Sequence, residues 1–143
     1  MSTTVNINRQ TPLVAYRDFE YDDFVSGTAK NLINLPSGAR VIRGFVDITS
    51  VFGPSTQTLV VGDSVGTQPT ANKYLTSTNV TSTGVTALTT SVVGEAANGV
   101  LGTGGAWITG TLTSGSAATG GAGRLQVEYV IDDRVTEYHA YRG

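Results

Sequence analysis

The chain is 143 residues long with a formal net charge of −2, and Gly, Thr and Ser together supply 51 of these residues. This length suits one domain with a core large enough to need no cross-links. The absence of cysteine excludes a disulfide scaffold, a thiol nucleophile and cysteine-based zinc sites. The slightly acidic balance argues against general nucleic-acid binding, which requires a basic surface.

The composition predicts a folded, all-β chain. Apolar residues make up 39% and charged residues 14% of the sequence, which is not the balance of a disordered protein. Threonine and valine are abundant, and both are β-branched and favour strands. The sequence shows no secretory signal and no apolar run of about 18 residues. We therefore expect a protein that stays in a reducing cytoplasm and does not bind membranes.

The two ends of the chain differ from its middle. Within residues 1–11, Val5 and Ile7 alternate with asparagines, which is typical of a flexible arm or of a strand that pairs with another sheet. Residues 132–143 form a charged tail. We predict an N-terminal arm over 1–11, a β-domain over 12–131 and a C-terminal tail over 132–143.

The first strand is predicted after Pro12, where Phe19 and Tyr21 alternate with acidic residues. A short strand over 31–35 ends at the turn that begins with Pro36.

The strongest strand signal runs from Ala39 to Phe52. Alternation predicts one face with Ile42, Val46 and Ile48, and an opposite face with Val41, Arg43, Phe45 and Asp47. Gly44 predicts a bulge or a close approach of another backbone.

Five more strands follow downstream. They are predicted over 56–61, 74–80, 84–93, 106–113 and 124–131, separated by polar or glycine-rich loops over 62–72 and 114–123 and by a tight turn at Asn98-Gly99. About eight strands without a helix predict a sandwich or a barrel.

Catalytic groups are scarce in this sequence. The single histidine, His139, lies in the tail, where we predict surface or partner contact rather than general-base catalysis. The acidic cluster over 18–23 does not match a calcium-binding loop, and strand alternation explains it as a solvated face. We therefore predict no catalytic residue, no metal site and no cofactor.

Two further sequence features have structural rather than catalytic interpretations. The glycine-rich runs over 99–105 and 120–123 open no helix and precede no Lys-Ser or Lys-Thr pair, so we predict turns rather than phosphate loops. A lone Trp107 predicts core or subunit-interface packing, with stacking on a sugar as the alternative.

A surface rich in Thr, Ser and Gly with few long charged side chains is unusual for a free monomer. Small side chains lose little rotamer entropy when they are covered. This composition favours a protein that packs in many copies against other subunits.

Four stretches carry a family resemblance: 31–52, Leu59-Val-Val-Gly-Asp63, Lys73-Tyr-Leu75 and 121–133. Their pattern, Leu-Pro-x-Gly-Ala-x-Val followed by Gly, Val-x₅-Phe and Val-Gly-Asp, resembles small structural proteins of tailed bacteriophages, especially head decoration (cement) proteins. The resemblance covers about residues 12 to 133.

The resemblance implies a jelly-roll-like antiparallel β-sandwich with no enzymatic activity. It further implies a homotrimer that binds the major capsid protein at local three-fold positions on the outside of the head. The expected location is the capsid surface of a virion assembled in the host cytoplasm.

The arms are not part of the recognised pattern. We hypothesise from their composition that they reach neighbouring subunits, because an alternating segment can add to a sheet edge. The predicted partner contacts are Val5, Ile7, Arg9, Tyr138, Tyr141 and Arg142.

The sequence leaves two rival functions open. One is a tail-associated carbohydrate-binding (receptor-binding) module with Trp107 and Tyr74 as sugar platforms. The other is an enzyme built on Asp18 and Asp22, which would need a cavity lined by the paired carboxylates.

Overall fold

A computed structural model describes residues 12–64, 70–89 and 106–131. Eight strands lie in these ranges: β1 (Leu13–Glu20), β2 (Ala29–Leu35), β3 (Ala39–Gly53), β4 (Gln57–Asp63), β5 (Thr70–Asn79), β6 (Gly84–Ala87), β7 (Ala106–Ser114) and β8 (Gly120–Ile131). The helical structure of the described part is one 3₁₀ turn, Tyr21–Asp23. Within the same ranges, no helix has the length and hydropathy needed to cross a membrane.

The strands form two four-stranded sheets in which every pairing is antiparallel. Sheet I has the order β1-β8-β3-β6, and sheet II has the order β2-β7-β4-β5. Successive strands alternate between the sheets except for β4 and β5, which are neighbours in sheet II. This strand order is that of an eight-stranded jelly roll. The predicted jelly-roll-like β-sandwich is therefore confirmed.

The hydrophobic core lies between the sheets and consists of side chains that alternate inward from both. Its largest fully buried members are Tyr74, Phe19, Phe52, Leu35, Leu59, Ile108 and Leu125. The Phe19 ring meets Phe24 edge-on with 5.5 Å between the ring centroids, and Phe52 at 6.2 Å. Aromatic burial of this kind stabilises the fold by area as well as by ring geometry.

The first predicted strand is confirmed, although its alternation ends earlier than predicted. Phe19 is buried while Asp18 and Glu20 are exposed. Tyr21 does not share the face of Phe19, because the chain leaves the strand there and enters the 3₁₀ turn. The backbone N–H of Glu20 donates to Asp23 Oδ2 at 2.9 Å and fixes this turn.

Strand β3 differs from a simple alternation near its start. The register with β8 shifts between Val41 and Arg43, so that Val41 enters the core together with Val46 and Ile48 while Ile42 is only half-buried. The predicted placement of Val41 and Ile42 was wrong, because a bulge reverses which residues point inward.

The predicted close approach at Gly44 is present. A Cβ there would lie 2.5 Å from the Gln126 carbonyl oxygen and 2.8 Å from Leu88 Cδ1. No side chain fits between β3 and β8 at this point.

The prediction of a turn over 120–123 was wrong. These residues begin β8 and lie under two aromatic rings of the core. A Cβ at Gly121, whose φ is +135°, would overlap the Phe52 ring, and a Cβ at Gly123 would lie 2.8 Å from Phe19 Cζ. Glycine serves here as strand backbone that lets aromatic side chains approach.

Other strand boundaries move by a few residues. Strand β2 begins at Ala29 and β5 at Thr70, so both are longer than predicted at their starts. The strand predicted over 84–93 is shorter than predicted, since β6 ends at Ala87 and residues 88–89 are not in a strand. Residues 90–93 and the turn predicted at Asn98-Gly99 lie outside the described residues.

Candidate functional site

The outer face of sheet I carries most of the charged side chains described on the sheets. Strands β1, β8 and β3 run side by side here, so their register sets which side chains meet. Three rows cross these strands: Val14–Glu128–Arg43, Tyr16–Gln126–Phe45 and Asp18–Arg124–Asp47. Tyr16 is 59% exposed and Val14 52%, so apolar and charged groups share one open surface.

Arg124 is the centre of this face. Its Nε and Nη2 atoms donate to Asp18 Oδ1 at 2.6 Å and to Oδ2 at 3.1 Å. Its guanidinium carbon lies 4.3 Å from the centroid of the Tyr16 ring, a cation–π arrangement. The hydrogen bonds from Arg124 hold the pKa of the Asp18 carboxyl below its ordinary value, and Asp18 raises the pKa of Arg124.

Of the other charged side chains described on this face, some form an ion pair and Asp47 does not. Arg43 and Glu128 form an ion pair across β3 and β8. Asp47 lies on the side of Arg124 opposite Asp18 and acts on it electrostatically. Within the described ranges, the Asp47 carboxylate has no hydrogen bond or ion pair of its own.

Two hollows interrupt the face. The acidic hollow, of about 500 Å³, is lined by Asp18, Glu20, Asp47, Thr49 and Arg124 above a floor of Phe19, Ala122 and Gly123. The apolar hollow, of about 310 Å³, is lined by Gly44, Phe45, Ala87 and Leu88 and bordered by Arg43, Gln126 and Glu128. Both hollows are open to solvent, so they suit the side chains of a partner better than a small-molecule substrate that must be enclosed.

Tyr74 and Trp107, the residues of the alternative sugar-binding hypothesis, differ in exposure and do not form one binding surface. Tyr74 is 1% exposed, and its hydroxyl donates to the equally buried Asp63 Oδ2 at 3.3 Å. Trp107 is 37% exposed, and its backbone exchanges hydrogen bonds of 3.0 Å with Ser64. The proposed role of Tyr74 was wrong because its strand position turns the ring into the core.

The rival enzyme built on Asp18 and Asp22 gains no support. Asp18 is engaged by Arg124, and Asp22 lies in the 3₁₀ turn. Among the residues the structure describes, no three His, Asp or Glu side chains are grouped to hold a metal ion.

The six predicted contact residues, Val5, Ile7, Arg9, Tyr138, Tyr141 and Arg142, lie outside the described residues, as does His139. Sequence reasoning did not single out Arg124, Tyr16 or Asp47. The alternation of Arg124, Gln126 and Glu128 marks a polar face of β8, but the row that joins three strands depends on register.

Chains of three solved phage capsids are similar to this chain in structure. One belongs to the cyanophage Pam1 capsid asymmetric unit, with a TM-score of 0.66 and 18% sequence identity over 92% of each chain. This chain shares its fold with phage capsid components. A chain of the Ralstonia phage GP4 capsid has a TM-score of 0.63 and 17% identity, over 94% of this chain and 93% of that one.

The third belongs to the acidic-stable capsid of Helicobacter pylori bacteriophage KHP30, with a TM-score of 0.57 and 18% identity over 89% of this chain and 94% of that one. No family model matches the sequence, and no curated protein matches it. At these identities the likeness concerns the fold.

Proposed function

We propose that this chain is a structural protein of a phage virion that binds the outside of the head and stabilises it as a decoration, or cement, protein. The observation that carries the proposal is the whole-chain likeness to phage capsid components. It covers at least 89% of this chain and at least 92% of each matched chain. The matched chains are therefore close to this one in size, as expected for a small component that is a single jelly roll.

The proposed mechanism is mechanical. The protein associates as a homotrimer and joins neighbouring subunits of the major capsid protein at local three-fold positions. A specific interface buries about 1,200–2,000 Å². Three contacts from one trimer reinforce one another, because the second and third form within an already bound complex. The assembled shell gains interface that separate capsid subunits lack.

The described surface supports a covered, non-enzymatic role. On strands β4 and β7, the accessible side chains include Thr58 and Thr113 rather than long charged residues. Covering such side chains costs little rotamer entropy. The proposal requires no cofactor, no nucleic acid and no membrane.

The terminal segments complete the proposal. Residues 1–11 and 132–143 reach neighbouring subunits, with Val5, Ile7, Arg9, Tyr138, Tyr141 and Arg142 as the contact side chains. The protein assembles onto heads in the host cytoplasm and resides on the capsid surface.

Binding to undecorated capsids tests this function. Purified protein is titrated onto capsids of the same phage that lack it, and the bound fraction is measured by co-sedimentation. Saturation at a fixed number of copies per capsid is expected. Capsids of an unrelated phage serve as the control. Binding that fails to saturate, or that is equal on both capsids, contradicts the proposal.

A further inference from the structure

The acidic hollow on sheet I has an excess of negative charge. Asp18, Glu20 and Asp47 line it together with a single guanidinium, that of Arg124. Asp18 pairs with the Nε–Nη2 edge of that guanidinium, so Arg124 offsets one of the three negative charges. The remaining carboxylates favour an incoming lysine or arginine side chain, since opposite charges that meet at an interface steer and orient association.

The apolar hollow lies on the same two strands as the acidic one. Gly44, at the level of the apolar hollow, and Ile48, at the level of the acidic hollow, are four residues apart on β3. Four residues of a strand span about 13 Å. An extended segment lying along β3 and β8 therefore fills both hollows with side chains that are four positions apart and on the same side.

The N-terminal segment has this pattern. Val5 and Arg9 are four residues apart, and Ile7 shares their side of an extended chain. Residues 1–11 contain one arginine and no carboxylate side chain. Their charge is thus complementary to the acidic hollow, and Val5 suits the apolar one.

The order of the two hollows along the sheet decides whether the segment that fills them comes from the same copy or from another copy. Along β1 from Leu13 towards Glu20, the level of the apolar hollow comes first and that of the acidic hollow second. If residues 5–9 folded back from Leu13 over the sheet of their own copy, Arg9 would lie at the apolar hollow and Val5 at the acidic hollow. This is the reverse of the arrangement that their chemistry favours. A segment of another copy that enters from the Glu20 end of β1 places Arg9 at the acidic hollow and Val5 at the apolar hollow.

We propose that residues 5–9 of one copy lie along the outer face of sheet I of another copy, with Arg9 in the acidic hollow and Val5 in the apolar hollow. Ile7 then lies between the two hollows, over the Phe45 and Gln126 row. The contact rests on the self-association included in the proposed function, and it forms without the capsid. The two ideas can therefore fail separately.

Cysteine cross-linking of the purified protein tests the contact. The chain has no cysteine, so the single variants Val5→Cys and Ala87→Cys each introduce one thiol. After the two proteins are mixed and oxidised, a disulfide between positions 5 and 87 is expected, detected as a linked peptide by mass spectrometry. Since each chain holds one thiol, this link arises only between copies.

The matched control is Val25→Cys, which is 72% exposed and does not line either hollow. Val5→Cys should link to it roughly fivefold less than to Ala87→Cys, or less still, because the bound segment raises the effective concentration of its thiol at position 87 alone. Equal linking to both positions overturns the proposal. So does a position 5 to 87 link that is absent from the mixture of single variants but forms in the double variant Val5→Cys with Ala87→Cys.

A charge exchange tests the acidic hollow independently. Arg9→Glu should weaken self-association in sedimentation velocity by roughly fivefold to tenfold, and the double variant Arg9→Glu with Asp47→Lys should recover most of the loss. The variant Arg9→Gln should fall between wild type and Arg9→Glu. A wild-type chain that is monomeric, or an Arg9→Glu chain that associates as well as wild type, overturns the proposal whether or not capsids are bound.

Discussion

Arg124 on β8 and Asp18 on β1 face each other across sheet I and are joined by two hydrogen bonds of 2.6 and 3.1 Å. The guanidinium also lies over the Tyr16 ring of the same edge strand. A two-pronged contact fixes direction as well as distance. It connects edge strand β1 to the centre of the sheet on the face that we assign to docking.

The first prediction concerns the protonation of Asp18. Because hydrogen bonds from Arg124 lower its pKa, the variant Arg124→Gln should raise that pKa towards the ordinary carboxyl value. Carboxyl ¹³C chemical shifts followed through a pH titration measure the change. Arg43→Gln, which removes a cation from a different ion pair, is the control and should leave Asp18 unchanged.

The sign of the pH effect follows from the lowered pKa. The Asp18–Arg124 pair favours the folded state above the ordinary carboxyl pKa and loses this effect as the pH falls through the lowered value. The stability difference between wild type and Arg124→Gln should therefore shrink in acid. A difference that grows in acid contradicts this assignment.

The second prediction concerns close packing at Gly123. A Cβ there would lie 2.7 Å from the Asp47 carbonyl oxygen and 2.8 Å from Phe19 Cζ. Gly123→Ala should lower the free energy of unfolding by about 1–3 kcal/mol, the usual cost of overpacking. Urea denaturation measures it. Gly120→Ala in the same strand meets no atom within 4 Å and should have a much smaller effect. Equal stability of the two variants would falsify the packing argument.

The third prediction concerns the buried pair of Tyr74 and Asp63. Tyr74→Phe removes the hydroxyl that donates to Asp63 Oδ2 and leaves a buried acceptor with one donor fewer. The free energy of unfolding should fall by about 1–3 kcal/mol. Tyr16→Phe, on an exposed ring, is the control in the same denaturation assay. A Tyr74→Phe chain as stable as wild type would show that this hydrogen bond does not contribute.

The fourth prediction concerns residues 1–11. Their deletion should abolish binding to undecorated capsids in the co-sedimentation assay, because the proposed contacts of the arm with neighbouring subunits are lost. The described strands begin at Leu13, so the truncated chain should keep its β-sheet circular dichroism and cooperative unfolding. Undiminished capsid binding by a folded truncated chain contradicts the role given to the arm.

Much of the fold could be predicted because alternation and turn residues are local signals. Strand β8 shows this well, since Leu125 and Val127 are buried while the residues between and beside them are more exposed, as a period of two requires. Glycine was harder to interpret. Gly121 and Gly123 look like loop residues in the sequence, whereas contacts with Phe52 and Phe19, far away in the chain, make them strand residues.

The candidate site was less predictable than the fold. Arg124, Asp18 and Asp47 come from three strands, and only the pairing of β8 with both β1 and β3 brings them into one row. Register is a long-range property, and one bulge such as that at Ile42 changes which side chains share a face. Tyr74 illustrates the same point, because an aromatic residue in a polar strand gives no local sign of its burial.

The central claim, that this protein decorates a phage head, is tested most directly by electron cryomicroscopy of capsids with and without the added protein. We predict difference density for a jelly roll on the outer surface, repeated at the local three-fold positions, and present only on capsids that received the protein. Capsids whose outer surface is unchanged by saturating protein, or density confined to the tail, would contradict the account.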